Sequence, residues 1–507
     1  MRLGRWHAGS ALAGRPARAL ALGAVAAGAA ACTAPAERPS DAGFRVEVTR
    51  VNGASPPTAA APLPANLGKS TELWEFTAEA YDATGALDPT FEGYARVGVE
   101  PGSVLRVSGP DGVKRNVHFV GGVAHGVAEV TTVFGPARLW LDDQGYVPVP
   151  PGFQPFCSDG LDNDGDVLVD FPTDPGCAFP DDDSEETGSG RVGVSLPVAY
   201  ELPTLADIQG RGSGTPYPSM SVSAKLCDLP DCSDARHDQA QFDALRVVVT
   251  RVTSTGFFAS DTAETAGYGH LFAFNFNAPY NMRVCDRLTL VSGTASEFYG
   301  MTELSFPSFE LVYPKCSTLP CADCMVPDPV VIDTAEIGSD VTMEQLESGL
   351  VRVEGFAIAQ NFGSKVAVNN VFAADQSNCD LNGDGVVDFE NDAEGSCGNA
   401  CSASPDCSEW NGYVAQGNFK ARKGGTLILL NVDSAAGFDP LAHKGQVLTS
   451  VTGTLRNFSG GSLNWTVEAR CNDDLVCSSP GCSSAVKAAN EACINIRPEL
   501  DNDEGTN

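Results

Sequence analysis

Two runs of carboxylates, each set between a pair of cysteines, carry the densest chemistry of this chain. Between Cys157 and Cys177 lie Asp162, Asp164, Asp166, Asp170 and Asp174, and between Cys379 and Cys397 lie Asp380, Asn382, Asp384, Asp388 and Asp392. In both runs the side-chain oxygens fall at positions 1, 3, 5, 9 and 13. Like charges at that density repel unless a cation neutralises them, and flexible oxygen donors in a short turning loop suit Ca2+. The second run has Gly385 at position six for the sharp turn and Val386 next to it to offer a carbonyl. At its twelfth position Asn391 replaces the carboxylate that would close the shell, leaving Glu390 or Asp392 to do so. The first run has Val167 at position six, and a β-branched residue resists positive φ, so it is the weaker candidate. The competing reading for both is a solvated Asp/Asn/Gly turn without an ion. Extracellular modules of this kind hold Ca2+ with dissociation constants on the order of 0.1 to 1 mM, which makes the expected ion structural.

Asp380, Asn382, Asp384 and Gly385 resemble the opening of EF-hand and dockerin-type calcium loops. A second resemblance lies at the N-terminus. Arg2, Arg5, Arg15 and Arg18 precede an apolar run from Ala19 to Ala31 that is too short to span a bilayer and reads as a secretory signal over residues 1–31. Ala29-Ala30-Ala31-Cys32 resembles a bacterial lipobox, with Ala29 where leucine is usual; the same residues also satisfy the Ala-x-Ala rule of ordinary signal peptidase. The chain has 17 cysteines, and lipidation of Cys32 leaves an even number for pairing in an oxidising compartment. The resemblance implies a cell-envelope lipoprotein anchored to a membrane through Cys32. Thr33 follows, rather than the Asp that marks inner-membrane retention in enteric bacteria, so the expected place is the outer membrane, with secretion as the alternative.

The elements that must position these loops are strands. With 53 Gly, 33 Pro and few helical periods, the 507 residues suggest about three all-β modules. A formal charge of −33 favours solubility and cation binding and opposes unspecific attraction to nucleic acid or anionic lipid. Residues 32–43 read as a lipidated, disordered tether. Residues 44–150 alternate with period two in segments such as TELWEFTAEAYD and ARLWLDD, the pattern of an antiparallel β-sandwich, and resemble bacterial immunoglobulin-like modules at that level. His118 and His125 in this stretch read as structural. Residues 151–190 hold the first acidic loop and a linker, DDDSEETGSG.

Residues 191–329 resemble the OB-fold domains found beside secreted bacterial nucleases, on Gly256-Phe257-Phe258, Asp261 and Val291-Ser292-Gly293-Thr294 with Phe298, Gly300 and Leu304. An ungapped offset of 160 residues lays Leu288–Gly300 over Leu448–Gly460 with seven identities in 13 positions. Residues 330–478 are therefore expected to form a second OB-like barrel, interrupted at 377–410 by an insertion that holds the second calcium loop. An acidic, Cys-containing tail follows from 479 to 507. The fold expected is thus all-β: a sandwich, then two OB-like β-barrels, with disulfide-bracketed calcium loops.

The remaining cysteines cluster as Cys227/Cys232, Cys316/Cys321/Cys324, Cys401/Cys407, Cys471/Cys477 and Cys482/Cys493, with Cys285 alone. Spacing favours short staples without deciding the pairing; Cys321 and Cys324 also fit a redox pair or half a zinc knuckle. No Gly-x-Ser-x-Gly elbow, His-Glu-x-x-His or phosphate-cradling loop occurs, so the chain reads as a non-catalytic binding or structural module whose partner is a surface glycan or protein. The alternative is a single-stranded nucleic-acid-binding accessory protein. Its candidate patch is Trp410, Tyr413, Phe419, Lys420, Arg422 and Lys423, against a competing reading as a hairpin with a solvated face. The alternating Phe272, Phe274 and Phe276 read as core filling ahead of a stacking platform. Charge disfavours nucleic acid, since residues 191–329 carry 9 basic against 15 acidic side chains.

Overall fold

The computed structural model describes residues 42–143, 145–186, 188–212, 214–358, 417–443, 445–457 and 465–496. Strands dominate it and helices are few and short, so the chain belongs to the all-β class. Cys32, the run from Asp380 to Asp392 with Asn382, Asp384, Val386 and Asp388, and the aromatics Trp410 and Tyr413 lie outside the described residues.

The first unit consists of β1 (Gly43–Val51), β2 (Glu72–Tyr81), β3 (Gly93–Glu100), β4 (Ser103–Ser108), β5 (Gly112–Val113), β6 (Asn116–Phe119), β7 (Val123–Thr131), β8 (Pro136–Asp142), β9 (Val192–Val194) and β10 (Val198–Ala199). One sheet runs β1-β2-β7-β4; the other runs β10-β8-β3-β6-β5, with β9 also on β8. Period-two alternation explains how they meet. On β2, Trp74, Phe76, Ala78 and Ala80 point inward, where they join Phe44, Phe119, Leu139 and Leu141 in one core. Each large side chain taken from water there contributes about 2 to 3 kcal/mol. On the outer surface Trp140 lies flat on Gly98, whose added Cβ would sit 2.0 Å from the indole. Residues 192–199, placed by sequence in the following module, return to pair with β8 and cover its edge.

The second unit contains β11 (Ser221–Ser223), β12 (Val247–Thr253), β13 (Gly256–Asp261), β14 (His270–Phe274), β15 (Arg287–Phe298) and β16 (Met301–Val312). Its strands close on themselves in the order β12-β13-β14-β16-β15-β12, with β11 added on β15. The pair β14 and β16 is parallel. The third unit contains β17 (Val330–Val331), β18 (Leu350–Glu354), β19 (Ala357–Ile358), β20 (Asn418–Lys423), β21 (Thr426–Asn431), β22 (Ser450–Asn457), β23 (Trp465–Glu468) and β24 (Leu475–Val476). Here the order is β18-β22-β23-β21-β20-β19, and β18 runs into β19 through Gly355 and Phe356, with φ of 71° at the glycine. The pair β21 and β23 is again parallel. Thus β15 and β22, the two segments related by the offset of 160, hold equivalent places, each antiparallel to the first and last strands of its own ring.

Six disulfides occur among the described residues: Cys157–Cys177, Cys227–Cys232, Cys285–Cys324, Cys316–Cys321, Cys471–Cys493 and Cys477–Cys482. Cys321 and Cys324 each bond to a different partner, which removes the basis for a redox pair or zinc half-site there. Glu347 of the third unit is almost fully buried against the second, where it accepts from the Thr302 amide at 3.0 Å.

Candidate metal centre

The loop bracketed by Cys157–Cys177 is built on side-chain-to-backbone hydrogen bonds. Asp162 accepts from the Gly165 amide at 2.7 Å through Oδ1 and from the Val167 amide at 3.0 Å through Oδ2. Asp164 accepts from Asp166 N at 3.0 Å, and Asp166 accepts from Leu168 N at 2.7 Å. These turns draw the carboxylates at loop positions 1, 3 and 5 to one side, so that Asp162, Asp164 and Asp166 present oxygens within 4.8 Å of one another in an exposed group. Val167 corrects the sequence-based expectation. It adopts φ of 81° and leaves its side chain 84% exposed, so the loop makes the turn that glycine would have made at no cost. A β-branched residue held there costs about 1 to 3 kcal/mol, offset by the hydrogen bonds to Asp162.

The five-carboxylate set is divided in space. Asp170 turns away and accepts from Gly160 N at 2.9 Å. Asp174 is 2% exposed and groups instead with Glu185 and Cys177. Glu185, also 2% exposed, was not a sequence candidate; its carboxylate reaches back into the loop and accepts from the amides of Asn163 and Asp170. The stretch read as a linker is therefore partly interior. Asp182 is fully buried and accepts from the amides of Val147, Ala178 and Ser184 at 2.7, 3.1 and 3.2 Å. Burial pushes its carboxyl up to about 6 despite those amides. Lys114 pairs with Asp181 and donates to Tyr146 Oη at 3.1 Å, tying the loop to the first unit.

The donor set is all oxygen and all carboxylate at its exposed face, which fits a hard divalent ion such as Ca2+. A buried carboxylate oxygen without a hydrogen bond, Asp174 Oδ2, is a further polar group that a cation would satisfy.

Of the basic patch, the described residues are largely taken up by the fold. Phe419 is fully buried in the core of the third unit and Lys420 is nearly so, because β20 is covered on both faces. Arg422 is half-buried, and Lys423 pairs with Asp333 at 2.9 Å. A stacking surface built on Phe419 is thereby excluded. The phenylalanine series divides: Phe272 is buried against Phe258, whereas Phe276 is 58% exposed and meets Phe274 at 4.4 Å and Phe306, 71% exposed, at 5.4 Å, both with tilted rings. His118 stacks on Tyr94 at 4.5 Å, and neither it nor His125 joins a metal-ligating group among the described residues.

Ser260 Oγ lies 2.8 Å from His270 Nδ1, a nucleophile-and-base spacing. Ser260 is buried and His270 half-buried at the end of its strand. Desolvation holds the imidazole down at about 4, with Glu264 opposing it, so the ring is neutral at pH 7.

No family model matches this chain, and no curated protein sequence matches it. A solved structure, that of dimeric latent PorU from Porphyromonas gingivalis, is similar over 53% of this chain and 29% of its own length, with 12% identity and a TM-score of 0.15. A likeness of that size carries no argument about fold or function.

Proposed function

We propose that this protein is a non-catalytic, disulfide-bonded bacterial envelope lipoprotein, stabilised by Ca2+, that acts as a binding or structural module at the cell surface. In this reading Cys32 carries the lipid, residues 33–43 lift the folded part from the outer membrane, and the first unit is an immunoglobulin-like sandwich. The sheets of the second and third units are OB-like barrels, a reading supported by their shared strand order and by the parallel third and fifth strands of each. The observation that carries the calcium assignment is the convergence of Asp162, Asp164 and Asp166, with Val167 in a left-handed turn that places them. The six disulfides among the described residues support an oxidising compartment. The partner is a surface glycan or a protein.

The test is the melting temperature of the mature protein in millimolar Ca2+ and in chelator. Calcium is expected to raise it, and Asp162→Asn with Asp164→Asn to reduce the rise; identical melting in both solutions would exclude a stabilising ion.

A further inference from the structure

Next to the exposed triad, where Glu185 accepts from the Asn163 amide, is a pair of carboxylates with no counter-charge among the described residues. Asp174 and Glu185 are each 2% exposed, and their oxygens come within 4.8 Å of one another. Asp174 Oδ1 accepts from Gly176 N at 2.7 Å, but Oδ2 is buried without any hydrogen-bond partner. Glu185 accepts from two loop amides, and among the described residues neither carboxylate has an ion-pair partner. Cys177, the third member of the group, is committed to its disulfide and offers no thiolate. Two buried carboxylates this close are costly unless they share a proton or hold a cation.

We propose that Asp174 and Glu185 form a second, buried position for a hard divalent cation, distinct from the triad of Asp162, Asp164 and Asp166. The proposal rests on the calcium reading of the loop and extends it. Its orphaned oxygen distinguishes the site from an ordinary acidic turn, since a native buried polar atom without a partner calls for an unseen ion, water or proton. Its consequence is mechanical. Asp174 lies inside the segment closed by Cys157–Cys177 and Glu185 lies outside it, so one ion held by both would clamp the loop to the strand-bearing chain that continues into β9.

Isothermal calorimetry with CaCl2 on the intact mature protein separates the possibilities. Asp174→Asn with Glu185→Gln is expected to lose one calcium equivalent while keeping that of the triad; Asp162→Asn with Asp164→Asn is expected to lose a different one. Wild-type stoichiometry in the first variant would overturn the buried site. Loss of the same single equivalent by both variants would mean one merged site and overturn it also. Wild-type binding by both variants would overturn the calcium reading of this loop as a whole. Near-UV circular dichroism reports whether each variant keeps the native packing. Should the double variant lose it, Glu185→Gln alone is measured, with at least a tenfold weakening of one calcium equivalent expected and unchanged binding contradicting the proposal.

Discussion

Arg251 on β12 and Glu468 on β23 form a largely buried ion pair that joins the second and third units. Arg456 completes it from the third unit, 3.0 Å from the same carboxylate. Burial pushes the Glu468 carboxyl up, but the charges and hydrogen bonds of the two arginines outweigh it, and the group ends below its ordinary value. Arg251 also lies 5.8 Å from the Phe258 ring and Arg456 5.7 Å from that of Phe272, so the charges sit on a small apolar cluster. It joins the second and third units alongside the Glu347–Thr302 hydrogen bond and the packing of Val248 with Leu350.

Removing the carboxylate strands two guanidinium groups in that setting. Glu468→Ala is expected to cost about 3 to 5 kcal/mol, read by urea unfolding at pH 7. Because the folded pKa is depressed, the contribution is present above the unfolded value of about 4.3 and disappears as pH falls through the folded one. The gap between wild type and Glu468→Gln should therefore close in acid; a gap independent of pH would contradict the ion pair.

His270 acts with the same sign for a different reason. Its folded pKa of about 4 lies below the unfolded value of about 6.5, so the desolvated neutral ring stabilises fully above 6.5 and ceases to as pH falls towards 4. Between pH 7 and pH 5 the wild type should lose about 2 kcal/mol from this group, a loss absent in His270→Gln. Parallel urea midpoints for the two proteins over that range would show that the ring is not held neutral.

Phe419 and Lys420 belong to the interior, so their substitution should be read as stability rather than binding. Phe419→Ala is expected to cost about 3 to 5 kcal/mol. Lys423→Ala, which loses an exposed pair with Asp333, should leave the urea midpoint nearly unchanged. Titration of fluorescent single-stranded DNA in millimolar Ca2+ is expected to give no saturable binding at moderate salt. Salt-sensitive binding lost on replacing Phe276 and Phe306 would instead assign that exposed row as a stacking platform.

Lipidation has its own test. Cells supplied with labelled fatty acid should label the protein, and Cys32→Ala should abolish the label; retained label would place the modification elsewhere.

The strands of the first unit were legible because one face is wet: Trp74, Phe76, Ala78 and Ala80 alternate with polar or exposed neighbours. The offset of 160 likewise pointed to two strands that occupy equivalent places. Where both faces are covered the alternation disappears, and Asn418, Phe419, Lys420 and Ala421 are all interior although their sequence reads as a surface hairpin. Glu185 was hidden by abundance, since in the run DDDSEE nothing local separates a buried carboxylate from solvated ones. Val167 shows the opposite failure: its intrinsic aversion to positive φ was real, but two amides captured by Asp162 overrode it. The returns of β9 and β10 are only three and two residues long and leave no periodic trace.

The central claim is that Ca2+ orders the acidic loop, and the most direct measurement is hydrogen–deuterium exchange of residues 157–186 in the mature protein, compared between millimolar Ca2+ and chelator. Slower exchange of the amides of Asn163, Gly165, Val167 and Leu168 in Ca2+, with the strands of the first unit unchanged, is the predicted result. Equal exchange in the two solutions would contradict it and leave the loop as an acidic turn held by its disulfide alone.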